Sequence, residues 1–167
     1  LGIVEGKTED TYEPDSTLLR SEAAAILIRA TGNEAAAQGS TGASRFTDVA
    51  ADHWALGYIN CAANLGYING MGDGTFAPDQ TLKYQEFVKM LVAALGYTPM
   101  AERRGGYPTG YLVVGASQGV TNGLQVAGEA DATRAVVAQL AYNALDVPVM
   151  EQTEFGTNNE GYTIFDG

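Results

Sequence analysis

Apolar residues recur at helical spacing in three separate stretches of the chain. Each stretch predicts an amphipathic helix, near residues 20–31, 84–95 and 134–145. A fourth stripe, over residues 53–66, predicts a shorter helix that ends at Gly66. Its apolar face would be formed by Trp54, Tyr58, Ile59, Ala62 and Leu65. The pattern therefore predicts a mainly α protein.

The sequence repeats itself. Residues 1–32 align without a gap with residues 65–96, 64 positions further on, and 12 of the 32 positions are identical. A weaker third copy covers residues 107–147, and its loop is shorter. Self-similarity of this length is typical of a repeat architecture. Each unit reads as helix, Gly-rich loop and helix, and such units bury their apolar faces by stacking on one another.

The repeat predicts how the chain is divided. The first copy begins at Leu1, which aligns with Leu65, so we expect it to lack its leading helix. The predicted segments are a partial repeat over 1–32, a linker over 33–45, a repeat over 46–97, a linker over 98–106, a divergent repeat over 107–147, and a tail or start of the next region over 148–167.

A missing leading helix predicts an open apolar face on the first copy. Ile26 and Leu27 would lie on that face. Exposed apolar area of this kind marks an interaction surface. We therefore expect a second chain or the tail to cover it. The tail is apolar enough through Phe155, Tyr162, Ile164 and Phe165.

Charge and composition restrict the function. The net charge is −11, from 20 acidic and 9 basic residues, which argues against nucleic acid or an anionic membrane as a partner. Cys61 is the only cysteine and His53 the only histidine, so metal-ligand spacing is absent from the sequence. No nucleophile elbow or nucleotide phosphate loop occurs in the sequence. We expect neither a cofactor nor an enzyme.

Several motifs in the second copy resemble the S-layer homology repeat. They are "FTDV" (residues 46–49), "HWA" (53–55) and "LGYINGMGDGTFAPDQTLKYQE" (65–86). The resemblance implies three repeats related by a pseudo-threefold axis around a shared helical core. It also implies a cell-surface module of bacteria with a Gram-positive-type envelope. Such modules anchor proteins by binding secondary cell-wall polysaccharide, which often carries pyruvyl ketals. The alternative is an assembly module that packs against other copies or surface proteins without binding glycan.

Two arginines are the main candidates for an anion site. Arg20 and Arg134 are each predicted at the first position of a helix, where a cation opposes the helix dipole. A guanidinium at a helix N-terminus, beside a Gly-rich loop, suits a carboxylate ligand. The alternative is a solvated surface arginine, or one that is paired with a nearby aspartate.

The other predicted ligand contacts surround these arginines. In the second copy Tyr84 replaces the arginine, so we expect it to stack on a sugar instead. Trp54 is either a sugar platform or a core residue at a helix start. The predicted ligand-binding set is Arg20, Ser21, Arg134, Trp54, Gly72, Gly74, Tyr84 and Gln85.

Four further polar residues are predicted to be structural. Glu22, Glu86 and Thr133 fall where side chains satisfy backbone N–H groups at helix starts. Asp48, in "FTDVAADHW", is predicted to cap the turn that follows it.

Overall fold

A computed structural model describes residues 13–152 and 162–165 of the chain. Within these residues the chain forms seven α-helices and one two-stranded sheet. The elements are α1 (Arg20–Ala30), α2 (Glu34–Gln38), α3 (Leu56–Asn64), α4 (Tyr84–Ala94), α5 (Thr98–Arg103), α6 (Thr109–Ser117), α7 (Arg134–Ala144), β1 (Val149–Gln152) and β2 (Tyr162–Phe165). None of the described helices has the length and apolar character needed to cross a membrane.

The long helices α1, α4 and α7 lie where the apolar stripes predict them, and the prediction of a mainly α fold is confirmed. Their apolar residues form the core of the described chain. Leu27, Phe87 and Leu140, one from each long helix, are all fully buried. The shorter predicted helix is present as α3, but it begins only at Leu56.

The two segments expected as linkers each contain a short helix, α2 and α5. In both, an alanine packs against a glycine of the next helix. A Cβ on Gly57 would lie 2.3 Å from the carbonyl oxygen of Ala37, and one on Gly110 would lie 2.0 Å from that of Ala101. Because the glycines allow such close approach, both segments pack as helices against the helix that follows.

The expected open face of the first copy is absent. Ile26 and Leu27 are 4% and 0% exposed, and α1 packs against α3 and α2. The expectation that the tail or a second chain covers these residues is therefore wrong. It assumed that each long helix packs against the helix before it, whereas α1 packs against helices that follow it. Phe155 lies outside the described residues.

The described part of the tail contacts the end of α4 instead. β1 and β2 pair antiparallel, with Val149 opposite Phe165. The Met150 N–H donates to the carbonyl oxygen of Leu95 at 2.8 Å, and the Tyr97 hydroxyl donates to that of Pro148 at 2.8 Å.

The three long helices begin against one another's loops. The N–H of Arg20 donates to Gln80 O, and that of Tyr84 donates to Ala130 O. The N–H of Arg134 donates to Ser16 O. An N–H in the first turn of a helix has no hydrogen-bond partner within that helix. In each of these three cases, a carbonyl oxygen of a neighbouring copy accepts the hydrogen bond.

The close contact between α2 and α3 gives a first prediction. We expect Gly57→Ala to lower the free energy of unfolding by about 1–3 kcal/mol, because the new methyl group overpacks the helix contact. Gly39→Ala is the matched control, since its Cβ would meet its nearest atom at 3.6 Å. Urea unfolding measures both changes. Equal losses of unfolding free energy in the two variants would show that the close approach of α3 to α2 does not contribute to stability.

Candidate functional site

Asp48 holds the Gly-rich loop of the second copy. Its carboxylate accepts hydrogen bonds from the N–H of Phe76 at 2.9 Å and the N–H of Ala77 at 2.8 Å. The prediction that Asp48 caps the turn directly after it is therefore wrong. The carboxylate instead bonds backbone donors of the distant loop, which closes against "FTDV".

The tip of this loop is an Asx turn. Asp73 accepts hydrogen bonds from the N–H and the hydroxyl of Thr75, at 3.0 Å and 2.6 Å. These bonds, led by that of the hydroxyl, lower the pKa of the Asp73 carboxyl. Gly72 and Gly74 flank it with φ angles of 91° and 88°, a conformation that favours glycine. Both glycines are exposed at the surface.

Arg20 connects the first copy to the loop and helix of the second. Its Nη1 lies 2.6 Å from Oε2 of Glu86, and its Nε donates to the carbonyl oxygen of Phe76 at 2.8 Å. The guanidinium also lies 4.7 Å from the centre of the Phe76 ring. Arg20 is only 5% exposed. It is thus a buried, paired cation and not a solvated surface residue.

The glutamates cap their helices and pair with the arginines at the same time. Oε1 of Glu86 accepts from the N–H of Lys83 at 2.7 Å, and Oε1 of Glu22 accepts from that of Leu19 at 2.8 Å. Oε2 of Glu22 lies 3.2 Å from Nη2 of Arg134. Each arginine therefore pairs with the capping glutamate of another copy, which offsets its unfavourable position in the dipole of its own helix.

The third junction between copies lacks both partners. Tyr84 occupies the arginine position of the second copy, and Val136 occupies the glutamate position of the third. Tyr84 is 4% exposed, so it is a core residue here and not a sugar platform. The hydroxyl of Thr133 accepts the N–H of Val136 at 3.2 Å and replaces the missing glutamate as a cap.

A cavity of about 200 Å³ lies beside the Arg20–Glu86 pair, and we call it the Lys89 cavity. Its lining residues come from α1, the second-copy loop, α4 and the segment that precedes α6. They are Arg20, Tyr67, Ile68, Asn69, Gly70, Met71, Glu86, Lys89, Met90 and Tyr107. Of the predicted ligand-binding set, Arg20 alone lines it.

Sequence reasoning missed Lys89. Its Nζ donates to Oδ1 of Asn69 at 3.0 Å and lies 4.9 Å from the ring centre of Tyr107 and 5.6 Å from that of Tyr111. Burial lowers the pKa of this ammonium, an effect that Glu102 opposes. The sequence carries no clear signal for it, because a single lysine in a helix is usually a solvated side chain.

The remaining predicted contacts lie elsewhere. Ser21 is fully buried and Gln85 is 8% exposed, so neither offers a surface to a ligand in this conformation. Trp54 is 58% exposed and stacks on His53, and it is not among the residues that line the Lys89 cavity. Of the two alternatives for Trp54, a sugar platform or a core residue at a helix start, the exposure rules out the core residue.

No group of three or more His, Cys, Asp or Glu side chains that could hold a metal ion occurs among the described residues. Cys61 is buried, and desolvation raises the pKa of its thiol. These side chains give the described part of the chain no metal centre.

A comparison with known protein families matches the second copy, including its Gly-rich loop. The S-layer homology domain matches residues 45–88. Residues 45–88 belong to the S-layer homology family. This stretch contains Asp48, the Gly-rich loop that Asp48 bonds, and Glu86, which pairs with Arg20.

Relatives of this chain include bacterial surface proteins. It is 34% identical over 158 residues to the middle cell wall protein of Brevibacillus brevis, covering 95% of this chain and 15% of that protein. It is 32% identical to the surface layer protein of Brevibacillus choshinensis, over 95% of this chain and 14% of that protein. The cellulosome-anchoring protein of Acetivibrio thermocellus is 29% identical over 51% of this chain and 19% of its own length.

The chain thus spans only about a seventh of the length of the first two relatives. The family and these relatives place it at the bacterial cell surface, in the cell wall or S-layer of a Gram-positive-type envelope. They also support a role in cell-wall anchoring.

Proposed function

We propose that the chain anchors its parent protein by binding an anionic, pyruvylated secondary cell-wall polysaccharide in the Lys89 cavity. The observation that carries this proposal is the charge of the cavity lining. Arg20 and Lys89 supply two cations and Glu86 supplies one anion, in a protein whose net charge is −11. A local positive site in an acidic protein favours an anionic ligand.

The aromatic lining suits the rest of such a ligand. Tyr67 and Tyr107 both line the cavity, and Tyr107 is 43% exposed. A tyrosine ring offers an apolar face and a polar edge, which matches a sugar with its C–H face and hydroxyl groups. The loop residues Asn69, Gly70 and Met71 line the cavity as well. The site therefore fits a small acidic sugar.

The wider arrangement supports three repeats with pseudo-threefold symmetry around a shared helical core. Three isolated antiparallel bridges link the copies in a cyclic order, and the helix-start hydrogen bonds follow the same order. The bridges are Thr17↔Thr133, Leu19↔Thr81 and Lys83↔Asp131. In this proposal the repeats keep the predicted boundaries 1–32, 46–97 and 107–147. In this proposal the Arg20–Glu86 and Arg134–Glu22 pairs hold neighbouring repeats together.

The proposed role is binding without catalysis. Among the described residues, the cavity lining contains a single carboxylate, Glu86, and that carboxylate is already bonded to Arg20 and to the N–H of Lys83. Glycoside hydrolysis ordinarily needs two carboxyl groups that flank the bond. The lining supports retention of a glycan and not its cleavage.

Co-sedimentation with purified cell-wall sacculi tests the anchoring proposal. We expect the chain to pellet with native sacculi and to remain in the supernatant after hydrofluoric acid has removed the wall polymer. A variant carrying Lys83→Gln removes one positive charge outside the cavity lining and is expected to pellet like the wild type. Equal binding to native and extracted sacculi would contradict the proposal.

An exposed apolar face favours a second candidate, assembly with other protein chains. Tyr142 and Leu145 of the third copy are 65% and 57% exposed. Large apolar side chains that lie close together on a surface mark interaction sites. Analytical ultracentrifugation distinguishes this candidate, because self-association that Tyr142→Ser weakens, without binding to sacculi, would favour assembly over anchoring.

A further inference from the structure

Lys89 is the cation of the cavity that forms no salt bridge within the described part of the chain. Arg20 is paired with Glu86 at 2.6 Å, so that pair contributes no net charge. The Lys89 Nζ contacts the neutral amide of Asn69 and the tyrosine rings, and none of the described salt bridges includes it. An ammonium has three donors, and Asn69 takes one of them. The cavity therefore offers a charged donor to a ligand.

The corresponding positions in the other two copies lack this charge. The alignment of the first and second copies puts Ala25 at the position of Lys89, and that of the third copy puts Gln139 there. Ala25 is 2% exposed, whereas Gln139 is exposed but neutral. The three copies are therefore not equivalent towards an anion.

The arginines of the repeats also differ between the copies, so they do not make the three copies equivalent as anion sites. Arg134, which corresponds to Arg20, pairs with Glu22 at 3.2 Å. Tyr84 replaces the arginine at the remaining junction. Of the two described Arg–Glu junctions, only that of Arg20 and Glu86 has a lysine three residues after the glutamate.

We propose that each chain binds one carboxylate of the wall polymer, at the Lys89 cavity, and that Lys89 determines the preference for the charged over the neutral ligand. This inference rests on the proposed anchoring function. The charged side chains that line the cavity, Arg20, Lys89 and Glu86, sum to +1, which matches a single carboxylate. Burial lowers the pKa of Lys89, but Glu102, outside the lining, raises it and so favours the charged form. The ring of Tyr107 beside the ammonium fixes the position of the charge and offers an apolar face to the adjoining part of the sugar.

Isothermal titration with a matched pair of probes tests the inference. The acid probe is methyl 4,6-O-(1-carboxyethylidene)-β-D-galactopyranoside, and the neutral probe is its methyl ester. We expect one site per chain, with the acid bound roughly tenfold or more tightly than the ester, as for a hydrogen bond between charged groups. Lys89→Met is expected to reduce the affinity for the acid to that for the ester. Lys89→Arg is expected to keep most of the preference.

Lys83→Gln is the matched control, because it removes the same charge from the same helix region outside the cavity lining. It is expected to leave the preference unchanged. Circular dichroism establishes whether Lys89→Met is folded. As an independent readout, mass spectrometry of the acetylated wild type should show that the acid, and not the ester, protects Lys89 from acetic anhydride.

Any of three results would overturn the inference while leaving the anchoring function intact. One is two or three equivalent sites per wild-type chain. Another is an undiminished preference for the acid in folded Lys89→Met, and the third is no protection of Lys89 in the wild type. A wild type that binds neither probe and does not pellet with native sacculi would instead contradict the anchoring function itself.

Discussion

Arg20→Ala is expected to lower the free energy of unfolding by about 3–5 kcal/mol, which is the effect of breaking a buried ion pair by removing one partner. The side chains of Arg20 and Glu86 are only 6% and 12% exposed. The substitution leaves the Glu86 carboxylate and the Phe76 carbonyl oxygen without their buried donor. Denaturant unfolding followed by circular dichroism measures the loss.

The chain contains its own control for this prediction. The third junction has Tyr84 and Val136 in place of the ion pair, with Thr133 as the cap. The triple variant Arg20→Tyr, Glu86→Val, Lys83→Thr transfers this arrangement to the first junction. We expect it to be more stable than Arg20→Ala, because apolar replacement of both partners leaves no unpaired buried charge. If Arg20→Ala is as stable as the wild type, the pair does not hold the copies together.

Gly96→Ala is expected to destabilise the chain by roughly 2–4 kcal/mol, from the strain of a left-handed alanine together with overpacking. Gly96 follows α4 with a φ of 88°, and a Cβ there would lie 1.8 Å from the carbonyl oxygen of Met150. The methyl group must displace β1 or the end of α4. Thermal and urea unfolding both measure the effect.

Gly32 is the matched control for Gly96, because it ends α1 at the corresponding position. It has a φ of 76°, but a methyl group placed there would meet no atom within 4 Å among the described residues. Gly32→Ala is therefore expected to cost only the backbone strain, about 1–2 kcal/mol. A larger loss for Gly32→Ala than for Gly96→Ala would contradict the packing of β1 against α4.

The helices are predictable from sequence because their determinants are local. The apolar stripes place α1, α4 and α7 within a residue or two of their observed bounds. The short helices α2 and α5 are not predicted, because Ala37 and Ala101 are held by contacts with Gly57 and Gly110 of the following helix. No local pattern distinguishes such stretches from a linker.

The site is less predictable because its contacts connect different copies. The sequence places Arg20 and Glu86 at helix starts, but it does not show that the arginine of one copy pairs with the glutamate of the next. The prediction for Asp48 fails for the same reason, since its partners Phe76 and Ala77 lie in a distant loop. Lys89 becomes a candidate only when the fold brings it beside Tyr107 and Arg20.

The most direct test of the anchoring account uses purified wall polysaccharide whose pyruvyl ketals can be removed by mild acid. Binding of the chain to intact and ketal-free polymer is compared by isothermal titration at one salt concentration. The account predicts saturable binding to the intact polymer and at least a roughly tenfold loss of affinity after the ketals are removed. Undiminished binding to the ketal-free polymer, or no binding to either, would contradict it.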